Sequence, residues 1–328
     1  MRLPIPVVVV GLGGIGVRYD AGVASQFVQT HARAFAMHPG FTLVAGVDPR
    51  EDARLAFTAV TGLPADSNLD AGFARLPPGC RPLVVVATPT PTHALVVREV
   101  LAKARPLAVL CEKPLADTVA DGRSMVDACA AAGVPLFVNY IRRSLPSVVE
   151  VARRLREGEI QPGCKVVAWY TKGLLHNGSH LWNLLEYWFG AVVDAFPLEL
   201  ARNGPAGVEF DCRLVFASAD ATLLCGWEEQ YSLFELDMIA PNGRLRVLGN
   251  GAMEWQPRVP MPGLPGYHGL EDGHELFASE IPRYQLHVAE QLARNLAGDA
   301  AELCTGAAAL QTLESVGAVL AIAEATKG

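Results

Sequence analysis

Nowhere in this chain do two cysteines stand at CxxC spacing. The seven present, at 80, 111, 129, 164, 212, 225 and 304, are scattered and odd in number. That argues against a disulfide framework or a zinc knuckle and predicts reduced core thiols in a reducing, cytoplasmic setting. A basic excess is missing too: 27 Lys and Arg stand against 34 Asp and Glu, a formal net charge of -7. A surface that tracks a polyanion needs surplus cations, so no nucleic-acid partner is expected. No apolar run approaches the length of a membrane span, and the stretch after Arg2 is too short for a signal segment, so no membrane association is expected. Internal repeats are absent. Charged residues make up only 19% of 328 residues and hydrophobic ones 51%, the balance of a well-packed globule long enough for two domains.

Short, wholly apolar runs recur at 5–10 (IPVVVV), 41–47, 82–87, 107–111 and 134–138, with helical patterns at 50–60, 92–104 and 118–132 between them. Strands buried on both faces and alternating with helices predict an α/β class, an N-terminal Rossmann domain built on a doubly wound parallel sheet, over residues 1–120. After about residue 158 the rhythm changes. Strand-like segments follow one another at 164–170, 208–216, 221–227, 232–239 and 244–249, with a hairpin signal at Pro241-Asn242-Gly243. Residues 121–328 are therefore expected to form an α+β domain with a mainly antiparallel open sheet. Two helical stretches, 279–297 and 306–325, close the chain; the last can pack back on the first domain. The Pro/Gly-rich segment 256–269 reads as a long loop, and Trp169, Trp182 and Trp188 read as core of the second domain.

Gly11, Gly13 and Gly16 form G-x-G-x-x-G directly after the first strand. The first glycine makes the tight turn, the second admits a pyrophosphate, and the third lets helix and strand approach. The loop thus offers Gly11, Gly13, Gly14, Ile15 and Gly16 to a dinucleotide. The next strand ends in Asp48, placed to accept the adenine-ribose hydroxyls, which favours NAD over NADP; Arg50 is the counter-argument, and Asp48 can equally cap a helix. Gly16 to Asp48 is longer than usual. The excess sits in VRYDAGVASQFVQ (17–29), read as an inserted loop before a helix starting near Thr30.

At 107–114 the chain reads LAVLCEKP, and ATPTPTHA (87–94) ends the preceding strand. Lys113 follows a buried strand at the carboxyl edge, where open α/β sheets bind ligands. A lysine there is a better catalytic candidate than a solvated surface charge. GLGGIG, the strand ending in Asp48, ATPTPTH, CEKPLA, RRSLP (142–146) and GSH (178–180) together resemble the glucose–fructose oxidoreductase/inositol dehydrogenase (Gfo/Idh/MocA) family. The resemblance implies that Lys113 polarises a reacting hydroxyl, that Thr88, Pro89, His93 and Glu112 line the cofactor, and that the C-terminal sheet makes a homodimer or homotetramer.

The family's second catalytic segment, D-x-G-x-H, is matched by HNGSH, so His180 stands for the family histidine and His176 replaces its aspartate. The resemblance makes His180 the general base, with His176, Arg143, Lys172, Asn177 and Lys113 shaping the substrate site. The lost carboxylate favours an anionic substrate such as a uronic acid or sugar nucleotide. Taken without the resemblance, the i,i+4 histidines have the spacing of a zinc-binding pair, but Gly178 breaks the helix between them and no third ligand is near, so no metal is expected. The expected activity is NAD-dependent hydride transfer at a secondary hydroxyl of a sugar, polyol or sugar nucleotide. Two alternatives stay open: an NAD-dependent glycosidase that recycles its cofactor, and a non-catalytic NAD- and sugar-binding regulator.

Overall fold

A computed structural model describes residues 4–24 and 26–325; Ser25, within the expected insertion, lies outside the described residues. The chain divides into two compact units, residues 1–144 with 282–313, and residues 145–281 with 314–328.

The first unit is a six-stranded parallel sheet: β1 (Ile5–Val10), β2 (Phe41–Val47), β3 (Ala65–Asp66), β4 (Leu83–Val86), β5 (Ala108–Cys111) and β6 (Leu136–Val138), in the order β3-β2-β1-β4-β5-β6. The helices are α1 (His31–Met37), α2 (Glu51–Thr61), α3 (Leu69–Phe73), α4 (His93–Ala104) and α5 (Val119–Ala131). Five of the strands, β1, β2, β4, β5 and β6, are the apolar runs of the sequence. Val7, Val8 and Val9 are inaccessible, as are Leu83 to Val86, because helices on both faces cover them. The short β3 and α3 were not legible: two residues of strand and five of helix carry too little periodicity to read. β6 pairs with β5 within this unit, beyond the boundary drawn at residue 120 from the sequence.

The second unit opens with α6 (Pro146–Arg156) and continues through β7 (Cys164–Tyr170), α7 (Ser179–Phe189), β8 (Asp194–Pro197), β9 (Arg202–Gly204), β10 (Gly207–Glu209), β11 (Cys212–Val215), β12 (Ala219–Cys225), β13 (Phe234–Ala240), β14 (Gly243–Val247), β15 (Met253–Pro260), β16 (His268–Leu270) and β17 (Glu275–Phe277). Its mixed sheet runs β16-β15-β14-β13-β7-β12-β11-β8, and β17 pairs β15; β9 and β10 form a separate hairpin. All pairings but β7 with β12 are antiparallel. β7 alternates strictly, with Cys164, Val166, Ala168 and Tyr170 buried and the residues between them exposed.

Two expectations about this sheet need correction. Residues 256–269 are not an irregular loop. β15 runs through Pro257 to Pro260, and Met261 N–H bonding Tyr267 O closes a hairpin with β16. Proline survives there because the ladder uses its carbonyl: Pro257 O accepts from Glu271 N–H at 3.0 Å. Trp169 is also not core. It lies on the outward face of β7 and is 41% exposed, whereas Trp182 and Trp188 are buried.

The chain ends in α8 (Tyr284–Ala297), which packs on α1, and α9 (Gly306–Ala325). Contrary to the sequence reading, α9 is long and apolar enough to cross a membrane by length and composition. Its buried positions Ala309, Leu310, Leu313, Val316, Val319 and Ala323 recur every three or four residues, the stripe of a helix packed on a core.

Candidate functional site

In the parallel sheet Val47, Val10, Val86, Cys111 and Val138 are direct neighbours in register. The residues that follow them therefore leave the sheet along one edge. Gly11, Asp48, Thr88, Glu112, Lys113 and Asn139 all emerge there, and this single row assembles sequence candidates from Gly11 to Lys113 together with Asn139.

Gly11 has φ +94, and a Cβ on it would lie 2.5 Å from the Ala87 carbonyl; one on Gly16 would lie 2.2 Å from Gly11 O. Both must be glycine. A Cβ on Gly13 would meet nothing within 4 Å, so the space above this residue is open to a ligand. That open cradle, between two glycines fixed by backbone contacts, fits a dinucleotide. The loop is followed by only one π-helical turn, Gly14–Arg18, and the next helix begins at His31. The inserted segment is tied down by Asp20, which is 2% exposed and accepts from Gln29 N, Thr30 N and Thr30 Oγ1 at 2.7–3.0 Å.

Asp48 is 4% exposed. Its Oδ2 accepts from Leu12 N at 2.9 Å, and Arg50 grips both oxygens at 3.1 Å. Burial pushes the carboxyl up, but Arg50 and the two backbone amides outweigh it, leaving Asp48 below the usual carboxylate value. Arg50 and Asp48 thus form one ion pair.

His93 is 1% exposed, with Nε2 at 2.9 Å from Thr88 O and Nδ1 at 3.2 Å from Leu115 O. It straps together the loops after β4 and β5. Thr88 Oγ1 accepts from Thr92 Oγ1 at 2.9 Å, and Pro89 is exposed. Lys113, before a cis Pro114, is partly buried. Burial pushes its ammonium down to about 8, opposed by the Glu112 carboxylate and aided by Arg142. Glu112 stays ionised: burial raises it, but hydrogen bonds from His31 and Asn139 carry it below the usual range. His31, Asn139 and Gln285 were not anticipated. Arg143 lies 9% exposed in the turn Ile141–Ser144.

The second unit holds Lys172, His176, Asn177 and His180 in one segment. Lys172 takes a left-handed φ of +66, and a π-helical turn, Gly173–Gly178, leads into α7. His176 is exposed within that turn; His180 is 7% exposed in the first turn of α7, which also buries Asn183. Asn177 Nδ2 donates to Thr171 O at 3.0 Å and Leu233 O at 3.3 Å, fixing the turn, and Glu209 Oε1 accepts from Gly173 N at 3.0 Å. Glu209, also unanticipated, is 2% exposed. Among the described residues, Glu199, Asp211 and Cys225 form the group with ligating atoms within 4.8 Å of one another, and it includes neither histidine.

Residues 5–140 match the family model of the GFO/IDH/MocA oxidoreductases, NAD-binding Rossmann fold. D-apiose dehydrogenase of Paraburkholderia graminis is 46% identical over 77 residues, 24% of this chain and 20% of that protein. Inositol 2-dehydrogenase of Rubrobacter xylanophilus is 34% identical over 175 residues, 53% of this chain and 46% of that protein. The matches thus span less than half the length of these two relatives. In fold, the chain is similar to the WlbA dehydrogenase of Bordetella pertussis, solved with NADH and UDP-GlcNAcA: TM-score 0.76 at 23% identity, covering 99% of this chain and 97% of that one. The glycine loop, the strand ending in Asp48 and the Glu112-Lys113-Pro114 turn all lie in the matched segment, and residues 5–140 form an NAD-binding Rossmann domain of the Gfo/Idh/MocA oxidoreductase type.

Proposed function

We propose that this protein is an NAD-dependent dehydrogenase that oxidises a secondary hydroxyl of a sugar, polyol or sugar nucleotide, or runs that reaction in reverse. The observation that carries the reading is Lys113: a lysine at the same carboxyl edge of the Rossmann sheet as the open glycine cradle, its ammonium brought down to about 8 by burial. The relatives named above, apiose and inositol dehydrogenases, support the substrate class. NAD bound on the loop supplies the hydride acceptor. Lys113 stabilises negative charge developing on the reacting oxygen, and His180 takes the hydroxyl proton. His176, Lys172 and Arg143 select the substrate and favour one with an anionic group. Absorbance at the NADH band across a panel of sugars and uronic acids tests this. Net NADH supports it; sugar release without net NADH identifies a glycosidase, and binding without either reaction identifies a regulator.

NAD is preferred to NADP because Asp48 repels a 2′-phosphate. A charge-assisted hydrogen bond to ribose is worth about 1.5–3 kcal/mol, so NAD is expected to bind at least about tenfold more tightly in a fluorescence titration. Equal or tighter NADP binding promotes Arg50 instead. In the same titration Gly13→Ala, which meets no neighbour in the protein, is expected to weaken NAD by about tenfold or more while stability shifts by less than about 0.5 kcal/mol. Unchanged affinity refutes the cradle.

The protein acts in the cytoplasm as a homodimer or homotetramer joined through the outer face of the mixed sheet. Phe196, Val167, Trp169, Ile239 and Leu276 share that face by register and are 41–60% exposed. Sedimentation that finds a monomer refutes this, and Trp169→Glu is expected to dissociate the oligomer.

A further inference from the structure

Beside Lys113 lies a buried polar cluster with no part in the steps above. Glu112 Oε1 accepts from His31 Nε2 at 2.8 Å and Asn139 Nδ2 at 2.6 Å, while Oε2 accepts from Lys113 N at 3.3 Å. Asn139 Nδ2 also reaches Gln285 Oε1 at 3.3 Å, and Gln285 Nε2 lies 3.4 Å from His31 Nε2. His31, Asn139 and Gln285 are each 1–2% exposed. The His31 Nδ1 atom is buried with no hydrogen-bond partner, so the ring joins the cluster through Nε2 alone, with its hydrogen aimed at the carboxylate. A carboxyl partly withdrawn from water is pushed toward its protonated form unless donors hold it as an anion. His31 arrives from the first helix after the inserted loop, a long excursion for a residue of packing alone.

We propose that His31 is a positioning residue for Lys113: with Asn139 it pins the Glu112 carboxylate as a fixed anion beside the lysine and so keeps the ammonium charged in a partly buried site. The inference rests on the catalytic reading of Lys113 for its consequence in turnover, but the charge coupling is measurable without turnover. Among the ionisable groups acting on Lys113 are Glu112, which holds its proton on, and Arg142, which drives it off. The Tyr284 hydroxyl neighbours both Glu112 and Arg142. Weakening the Glu112 anion therefore moves the lysine titration to lower pH.

The test is acetylation of the whole protein by acetic anhydride across a pH series, with mass spectrometry of the Lys113 peptide giving the titration midpoint. His31→Phe keeps a ring and removes the donor; its midpoint is expected to fall by about half to one unit. His31→Gln restores a donor and is expected to return the midpoint toward the parent value, which a role in packing alone does not predict. An unchanged midpoint in both His31→Phe and Asn139→Leu, each melting as the parent does, overturns the inference. If His31→Phe does not fold, Asn139→Leu decides: a lowered midpoint supports the coupling and an unchanged one overturns it. A Lys113→Met protein with full turnover removes the catalytic reading and leaves the coupling standing. Loss of turnover in Lys113→Met without any midpoint shift in the other variants removes the coupling alone.

Discussion

Lys113→Met is expected to lower turnover by about 10²–10³-fold, the cost of deleting one preorganised group that stabilises charge at a reacting oxygen. Methionine keeps the volume and removes only the cation, so NAD affinity, measured by fluorescence titration, is expected to stay within about threefold of the parent. The pH dependence separates this from general damage. Burial brings the Lys113 ammonium down to about 8, against the pull of Glu112. The charged form is the one that assists, and it is lost as pH rises through that value. A fall in kcat/KM above about pH 8 is therefore expected in the parent and absent in the variant. Full activity in Lys113→Met on a verified substrate removes the lysine from the mechanism.

His180→Ala is expected to be as damaging or more so. Positioned acid–base groups contribute on the order of 10²–10⁴ in rate, and the variant loses that factor. His180 is 7% exposed at the start of α7, on a helix that buries nearly every residue, so its position is fixed by packing and is not adjustable by loop motion. His176 is exposed in the π-helical turn. His176→Ala is expected mainly to raise KM, because ground-state contacts are lost without loss of the proton acceptor. Steady-state kinetics on both variants decide the matter: abolished turnover in His176→Ala beside a mild effect in His180→Ala reverses the two roles. Zinc that co-purifies with the protein, with activity lost on chelation, makes the pair metallic.

The amino-acid sequence by itself determined the parallel sheet, because strands buried on both faces must be continuous apolar runs and IPVVVV or LVVV admits little else. It also determined the dinucleotide loop: Gly11 and Gly16 sit where a Cβ would strike backbone, and that requirement is written in residue identity. Lys113 was legible for the same local reason, as a residue just past a strand's end. Tertiary structure decided the rest. His31, Asn139 and Gln285 gather on Glu112 from separations of 81, 27 and, between Asn139 and Gln285, 146 residues. No periodicity records such a meeting, since it depends on the path of the chain around the sheet. Whether Arg50 pairs with Asp48 or stands apart was likewise a matter of side-chain geometry, and the structure joins them at 3.1 Å. The 256–269 segment misled because proline content is a local signal, whereas a strand is stabilised by its neighbours, and β14, β16 and β17 supply them. Local chemistry fixes which residues can act; the ladder and the buried cluster fix which of them meet.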